Sequence, residues 1–186
     1  MRKSFITIGC AIVIYTLTIT ECHKNDSNVL KWISTFRAGG CNSNYSVQQT
    51  SDDGYIIAGS TELFGTGCSD VYLIKADANG DTIWTKTFGG TGYDYGHSVQ
   101  QISDDGYIIV GYTYLSGIGY DVYLIKTDTS GNHVWTKTFS EANSNDEGNS
   151  VQQTSDGGYI IAGGTRTYGI GTDVYLIKTD ANGNTE

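Results

Sequence analysis

Ser46-Val47-Gln48-Gln49 returns as Ser98-Val99-Gln100-Gln101 and again as Ser150-Val151-Gln152-Gln153. The intervals 98 − 46 and 150 − 98 are both 52 residues. Asp70-Val71-Tyr72-Leu73-Ile74-Lys75 returns at 121–126 and 173–178, and Trp32, Trp84 and Trp135 keep the same beat. A period near fifty residues marks an array of one supersecondary unit, which buries its hydrophobic faces only by packing on its neighbours. The repeat units run over about 37–88, 89–139 and 140–186, within a repeat domain of 30–186.

The segment before the repeats reads as a targeting signal. Arg2 and Lys3 precede an apolar stretch from Phe5 to Ile19, 15 residues long. That is short of the roughly 20 residues of a membrane span and suits a secretory signal over 1–22; an uncleaved anchor is the alternative. Residues 23–29 read as a polar tether. Removing residues 1–21 takes away Arg2, Lys3 and Glu21, so (11 − 2) − (20 − 1) gives a formal charge of −10. So acidic a domain without a basic cluster is no nucleic-acid binder, because that affinity rests on phosphate neutralisation.

Within the second repeat, Ser98–Ser103 reads as a strand, Asp104-Asp105-Gly106 as a hairpin turn, and Tyr107–Gly111 as the next strand. Tyr114–Tyr120 reads as a Gly-rich loop, followed by a third strand at Asp121–Lys126, a turn at 128–132 and a fourth strand at Val134–Phe139. No helix is expected after the signal, because no stretch carries a 3.6-residue apolar period. Tyr55-Ile56-Ile57-Ala58 and Val71-Tyr72-Leu73-Ile74 are apolar at every position. A strand with one wet face would alternate, so these middle strands need cover on both faces. The fold expected is all-β, a β-propeller-type array of four-stranded antiparallel blades in three repeats. In it the fourth strand is outermost, the glutamine-bearing first strand is innermost, and Leu30–Phe36 supplies a lone outer strand. Three blades are few for a ring, so an open arc, a shortened relative of a longer chain or half of a six-bladed dimer all stand. A β-trefoil is the competing fold.

Several motifs resemble known families. Ile19-Thr20-Glu21-Cys22 resembles a bacterial lipobox, which implies lipidation at Cys22 and a lipid-anchored, extracytoplasmic surface protein; plain secretion is the alternative. Glu21 departs from the small residue usual there. Asp77 with Gly80-x-x-x-Trp84, and Asp128 with Gly131-x-x-x-Trp135, resemble the tryptophan-docking repeat of quinoprotein-type propellers, in which the tryptophan packs on the next blade. They are also similar to the Asp-box of sialidase-type propellers. The repeat as a whole, Ser-Val-Gln-Gln-Thr-Ser-Asp-Gly-Gly-Tyr-Ile-Ile-Ala-Gly at 150–163 with Asp-Val-Tyr-Leu-Ile-Lys-Thr-Asp at 173–180, resembles exported bacterial and archaeal propeller-type repeat proteins. This resemblance spans roughly Leu30 to Asn184 and implies a fold and an export route, with no catalytic residue.

In such a fold the inter-blade connections and the second-to-third-strand loops share one face, the default binding surface. Tyr93, Tyr95, Tyr114, Tyr120 and Tyr168 are expected there, with Asp94 and Asp146 recurring 52 residues apart. Tyrosines beside acids and amides suit sugars or peptide chains, the ring stacking and the hydroxyl bonding; solvated loop tyrosines packing on glycines are the bland alternative. Cys41 and Cys68 lack counterparts in the other repeats and make a candidate disulfide, worth roughly 3 kcal/mol by chain entropy; two unrelated thiols are the alternative. Asp77-x-Asn79-x-Asp81 has a faint likeness to a calcium loop, but turn chemistry explains the same residues, so no metal and no cofactor are expected. His23, His97 and His133 lie on separate elements, and no nucleophile–base pair can be named. The function expected is a surface binding or scaffold module for glycan or protein, with self-association through open blade edges. The alternative is a fragment of a polysaccharide-active or sialidase-like enzyme.

Overall fold

The computed structural model describes residues 33–36, 42–62, 69–115, 119–141, 144–167 and 171–186. Cys22, Cys41, Cys68, Trp32 and Tyr168 lie outside the described residues, as do the signal, the tether and most of the segment Leu30–Phe36. The described part of that segment, 33–36, carries no ladder pairing. All strands belong to the unit Ser34–Glu186.

Eleven strands are described, all in antiparallel ladders, and no helix. The first sheet is β1 (Asn42–Gln49), β2 (Tyr55–Thr61), β3 (Asp70–Ala76) and β4 (Thr82–Phe88). The second is β5 (Tyr93–Gln101), β6 (Tyr107–Leu115), β7 (Gly119–Thr127) and β8 (His133–Phe139). The third is β9 (Ser144–Gln153), β10 (Tyr159–Thr167) and β11 (Gly171–Thr179). Within each sheet neighbours in sequence are neighbours in space, giving one meander per repeat and no closed barrel among the described residues.

The turns follow from their residues. Each first hairpin turns on an acid whose carboxylate accepts a backbone N–H two residues on: Asp52 from Gly54 at 3.2 Å, Asp104 from Gly106 at 3.0 Å and Asp156 from Gly158 at 3.0 Å. A third-strand lysine closes each of them, Lys75 at 2.9 Å, Lys126 at 2.7 Å and Lys178 at 2.8 Å. The turn residue with positive φ is Asp53 in the first repeat, Asp105 in the second and Gly157 in the third. Aspartate is among the few side chains that tolerate this left-handed region.

The middle strands of the second sheet are packed on both faces, Ile109 and Ile125 toward the first sheet and Val110 and Leu124 toward the third. Every residue of β3 is buried. One core lies between the first and second sheets, with Ile56, Ala58, Val71 and Leu73 against Val99, Tyr107, Ile109 and Ile125. A second has the same register between the second and third sheets, with Ile108, Val110, Val122 and Leu124 against Val151, Tyr159, Ile161 and Ile177. Each fully buried aliphatic side chain is worth about 1.5–3 kcal/mol, so these two junctions carry much of the stability. β4 alternates and is largely exposed. Its Trp84 nonetheless reaches the next repeat, edge-on to Tyr107 and pressed on Gly131, as Trp135 does to Tyr159 and Gly183.

The contact between first strands of successive repeats is polar. Gln101 N donates to Gln48 Oε1 at 2.6 Å, and Gln153 N donates to Gln100 Oε1 at 2.7 Å. Ser51 N donates to Gln101 Oε1 at 2.8 Å, and Ser103 N donates to Gln153 Oε1 at 2.9 Å. The glutamines therefore cross-link successive repeats, and in the second repeat Gln100 reaches forward while Gln101 reaches back.

The first and second strands run further than the sequence reading gives them. Tyr93–His97 lies in β5, Ser144–Asn149 in β9 and Asn42–Tyr45 in β1, each ahead of the Ser-Val-Gln-Gln run where the first strand is read to begin, and β6 continues to Leu115. The extension passes a bulge, between Gly96 and Ser98 in the second sheet. It is possible because Gly111 sits opposite: a Cβ there would lie 1.7 Å from Tyr95 O, and Gly59 and Gly163 meet Ser43 O and Glu147 O in the same way, each at 1.9 Å. A substitution that adds only this methyl, Gly111→Ala, is therefore expected to cost about 1–3 kcal/mol through forced backbone displacement. Urea unfolding checks this, and an unchanged midpoint would show that the bulge has room to spare.

Candidate functional site

The long hairpin arms carry an aromatic cluster on the second sheet. Tyr93 and Tyr95 on β5, Tyr112 and Tyr114 on β6 and Tyr120 on β7 surround a concavity of about 260 Å³. Cross-strand register explains the gathering: Tyr93 is opposite Tyr114, Tyr95 opposite Tyr112, and Tyr114 opposite Tyr120. The rings touch in series. Tyr95 stacks on Tyr112 with centroids 4.9 Å apart, and Tyr112 meets Tyr120 edge-on at 5.1 Å. Tyr114 lies 4.9 Å from Tyr120 and 6.1 Å from Tyr93. His97 joins the series edge-on to Tyr112 at 5.2 Å and passes it to Tyr45 at 5.0 Å. Burial, then the neighbours Tyr95, Glu147, Tyr120 and Tyr45, push the Tyr112 hydroxyl well above the ordinary tyrosine range, so it stays a hydrogen-bond donor at any physiological pH.

Tyr120 also lines a second hollow, of about 220 Å³, with Asn145, Glu147, Asn149, Arg166 and Thr172 of the third repeat. The two hollows are tied together: Tyr120 N donates to Asn145 Oδ1 at 3.1 Å, and the His97 ring and the Asn149 side chain are hydrogen-bonded at 3.2 Å. One surface thus runs from an aromatic half to a polar half.

This surface differs between repeats while the scaffold beneath it does not. The position of Tyr112 is Ser60 in the first repeat and Gly164 in the third; that of Tyr95 is Ser43 and Glu147; that of Tyr114 is Glu62 and Arg166. Ser-Val-Gln-Gln and Val-Tyr-Leu-Ile-Lys, which build the junctions, recur unchanged. Packing demands fix the second set and leave the first open to specialise.

Four of the tyrosines expected from sequence are therefore brought together, and Tyr168 lies outside the described residues. Tyr112 and His97 were missed. Their signal was present, since Tyr112 stands where the register has serine and glycine, but a segment read as strand end gave no reason to compare it.

Asp94 and Asp146 do not join the tyrosines. They alternate with Tyr93 and Tyr95, or Asn145 and Glu147, along their strands and are buried, 2% and 0% exposed. Asp94 Oδ2 accepts from Gly90 N at 2.9 Å, and Asp146 Oδ2 accepts from Glu141 N at 2.7 Å and Ser144 Oγ at 2.8 Å. Each faces the third-strand aspartate of the preceding repeat. A Cβ on Gly89 would lie 2.1 Å from Asp70 Oδ1 and 2.7 Å from Asp94 Oδ2. Burial, then the Asp94 charge, raises the Asp70 carboxyl above its ordinary 3.8; burial, then Asp146, does the same at Asp121. Among the described residues Asp70 Oδ1 and Asp146 Oδ1 have no hydrogen-bond partner, and no three His, Cys, Asp or Glu side chains gather as a metal set. Asp77 is likewise occupied by its turn, accepting from Asn79 N and Asp81 N. His133 sits at the start of β8, bonded to Thr136 Oγ1 at 2.8 Å.

The acid pairs set a pH dependence. A carboxyl held above 3.8 binds its proton more tightly in the folded chain, so its cost is present at neutral pH and is relieved as pH falls from the raised value toward 3.8. Asp52 works oppositely. Hydrogen bonds from Thr50 and then Lys75 lower it to about 2, a stabilisation held above 3.8 and lost as pH falls from there to about 2. Asp70→Asn is therefore expected to raise the urea midpoint at pH 7, with the advantage shrinking as pH approaches 3.8. An advantage that does not change with pH would show that Asp70 carries no such strain.

No protein-family model matches this chain, and the comparison with curated proteins gives no match.

Proposed function

We propose that this chain is an exported, lipid-anchored binding module, built of propeller-type blades, that holds a carbohydrate across the tyrosine surface of its second and third repeats. The carrying observation is the joined surface itself. Five tyrosines on rigid strands adjoin a hollow bearing Asn145, Glu147, Asn149 and Arg166. Sugars present apolar C–H faces that stack on aromatic rings and hydroxyls that pair with amides, carboxylates and guanidinium groups. Strand-mounted rings lose little conformational freedom on binding, which favours affinity. The blade reading is supported by meander sheets whose covered faces meet and by first strands cross-linked through glutamines. Lipid anchoring is supported by the lipobox-like Cys22. The reading places no catalytic group on the surface, and Asp94 and Asp146 act in it as scaffold.

Two measurements test it. Calorimetric titration of the full chain with a panel of neutral and acidic glycans is expected to find a ligand whose affinity falls at least tenfold, about 1.4 kcal/mol, in Tyr120→Ala and in Tyr112→Ala. Failure of every glycan to bind, or affinity indifferent to both substitutions, contradicts the reading, and steady turnover of a bound glycan would make the chain an enzyme. Membrane fractionation of cells expressing the chain is expected to find it membrane-bound, and Cys22→Ser to release it. An unchanged distribution for Cys22→Ser removes the lipid anchor.

A further inference from the structure

The two internal junctions share one register, and the structure carries both halves of a third. On the outward side of the third sheet, Val174 is 86% exposed and Leu176 64%. Their counterparts Val71, Leu73, Val122 and Leu124 are all fully buried by the next repeat. On the first sheet, Val47 is 65% exposed, whereas Val99 and Val151 at the same position are about nineteen-twentieths buried, at 5% and 4%. An apolar donor face on the third sheet and an open valine at the acceptor position of β1 are thus both present on one molecule, while Ile74, the counterpart of Ile125, is buried.

The polar grid continues the pattern. Gln48 and Gln100 each accept a backbone N–H from the following first strand, whereas Gln152 is exposed and makes no such bond among the described residues. Gln101 and Gln153 each accept from the Ser N–H of the preceding repeat's turn, whereas Gln49 makes no such bond among the described residues. Repeating the same step once more brings Gln49 N to Gln152 Oε1 and Ser155 N to Gln49 Oε1 of another copy. The electrostatics improve at this third junction. Where the internal junctions oppose Asp70 to Asp94 and Asp121 to Asp146, this one opposes Asp173 to Asn42, a neutral side chain at the equivalent position.

We propose that the β10–β11 face of one chain docks on the β1 strand of a second copy of the same chain, head to tail, by the geometry of the internal junctions. The contact is heterologous, so it closes into a pair or continues as a series according to the angle per repeat. The proposal does not rest on the carbohydrate reading: Val47, Val174 and Leu176 line neither hollow, although Arg166 and Thr172 of the polar hollow lie on the same two strands.

The test is the solution mass of the full chain by sedimentation equilibrium, with Val47→Arg and Val174→Arg. Both positions are exposed, so the fold tolerates the change, and circular dichroism verifies that. The wild type is expected at twice the 20.1 kDa chain mass or a higher multiple, and each variant alone at the monomer mass. Mixing the variants is expected to restore a dimer, because one junction then joins the intact Val47 of one copy to the intact Val174 of the other. A monomeric wild type overturns the proposal. So does association indifferent to both arginines, which would come from another segment, or association lost in Val174→Arg alone, which would mean a symmetric face-to-face contact.

Discussion

Everything in this structure depends on apolar strands that cannot be satisfied by one neighbour. β3 and β7 carry Val-Tyr-Leu-Ile with no polar position to face water, and a meander sheet by itself covers neither face. Stacking a second meander against the first covers one side of each, and a third continues the cover. The tryptophans pressed on Gly131 and Gly183 reach from each sheet to the next and add to this packing. The glutamine cross-links then tie the first strands of successive repeats to one another.

A stack of this kind separates structure from recognition. The junction residues are constrained on every side and recur letter for letter. The arms of the long hairpins beyond the bulge pack less tightly and diverge between repeats, giving tyrosines in the second and polar residues in the third. The cost of stacking also shows. The same periodicity that aligns the sheets brings Asp70 to Asp94 and Asp121 to Asp146, like charges in a buried setting. A repeated sequence reproduces its flaws as faithfully as its contacts.

Most of the architecture was legible in the sequence because it rests on local chemistry. Asp-Gly and Asp-x-x-Gly turns, an unbroken apolar run and a fixed period were enough to give three antiparallel meanders without helix, with β4 exposed. The ends of the strands were not legible. Tyr93-Asp94-Tyr95-Gly96 alternates as a strand should, but its glycine and acid look like loop chemistry, and only the backbone contact at Gly111 shows why the ladder continues. That misreading had a consequence for the site. It grouped Asp94 and Asp146 with the tyrosines as loop residues, whereas strand alternation turns them to the opposite face, into the junction. It also hid Tyr112 and His97, whose place in the ring series follows from cross-strand register.

The claim that inter-sheet burial holds the array together has a direct control built into the chain. Leu124 and Leu176 occupy the same position of the same strand, flanked by the same residues, and differ in whether a following sheet covers them: the first is fully buried and the second 64% exposed. Urea unfolding of Leu124→Ala and Leu176→Ala at low protein concentration measures that difference alone. The account expects a loss of about 2–5 kcal/mol for Leu124→Ala and under about 1 kcal/mol for Leu176→Ala. Equal losses at the two positions would mean that each repeat is held by its own strands, and that the junctions are not what the fold rests on.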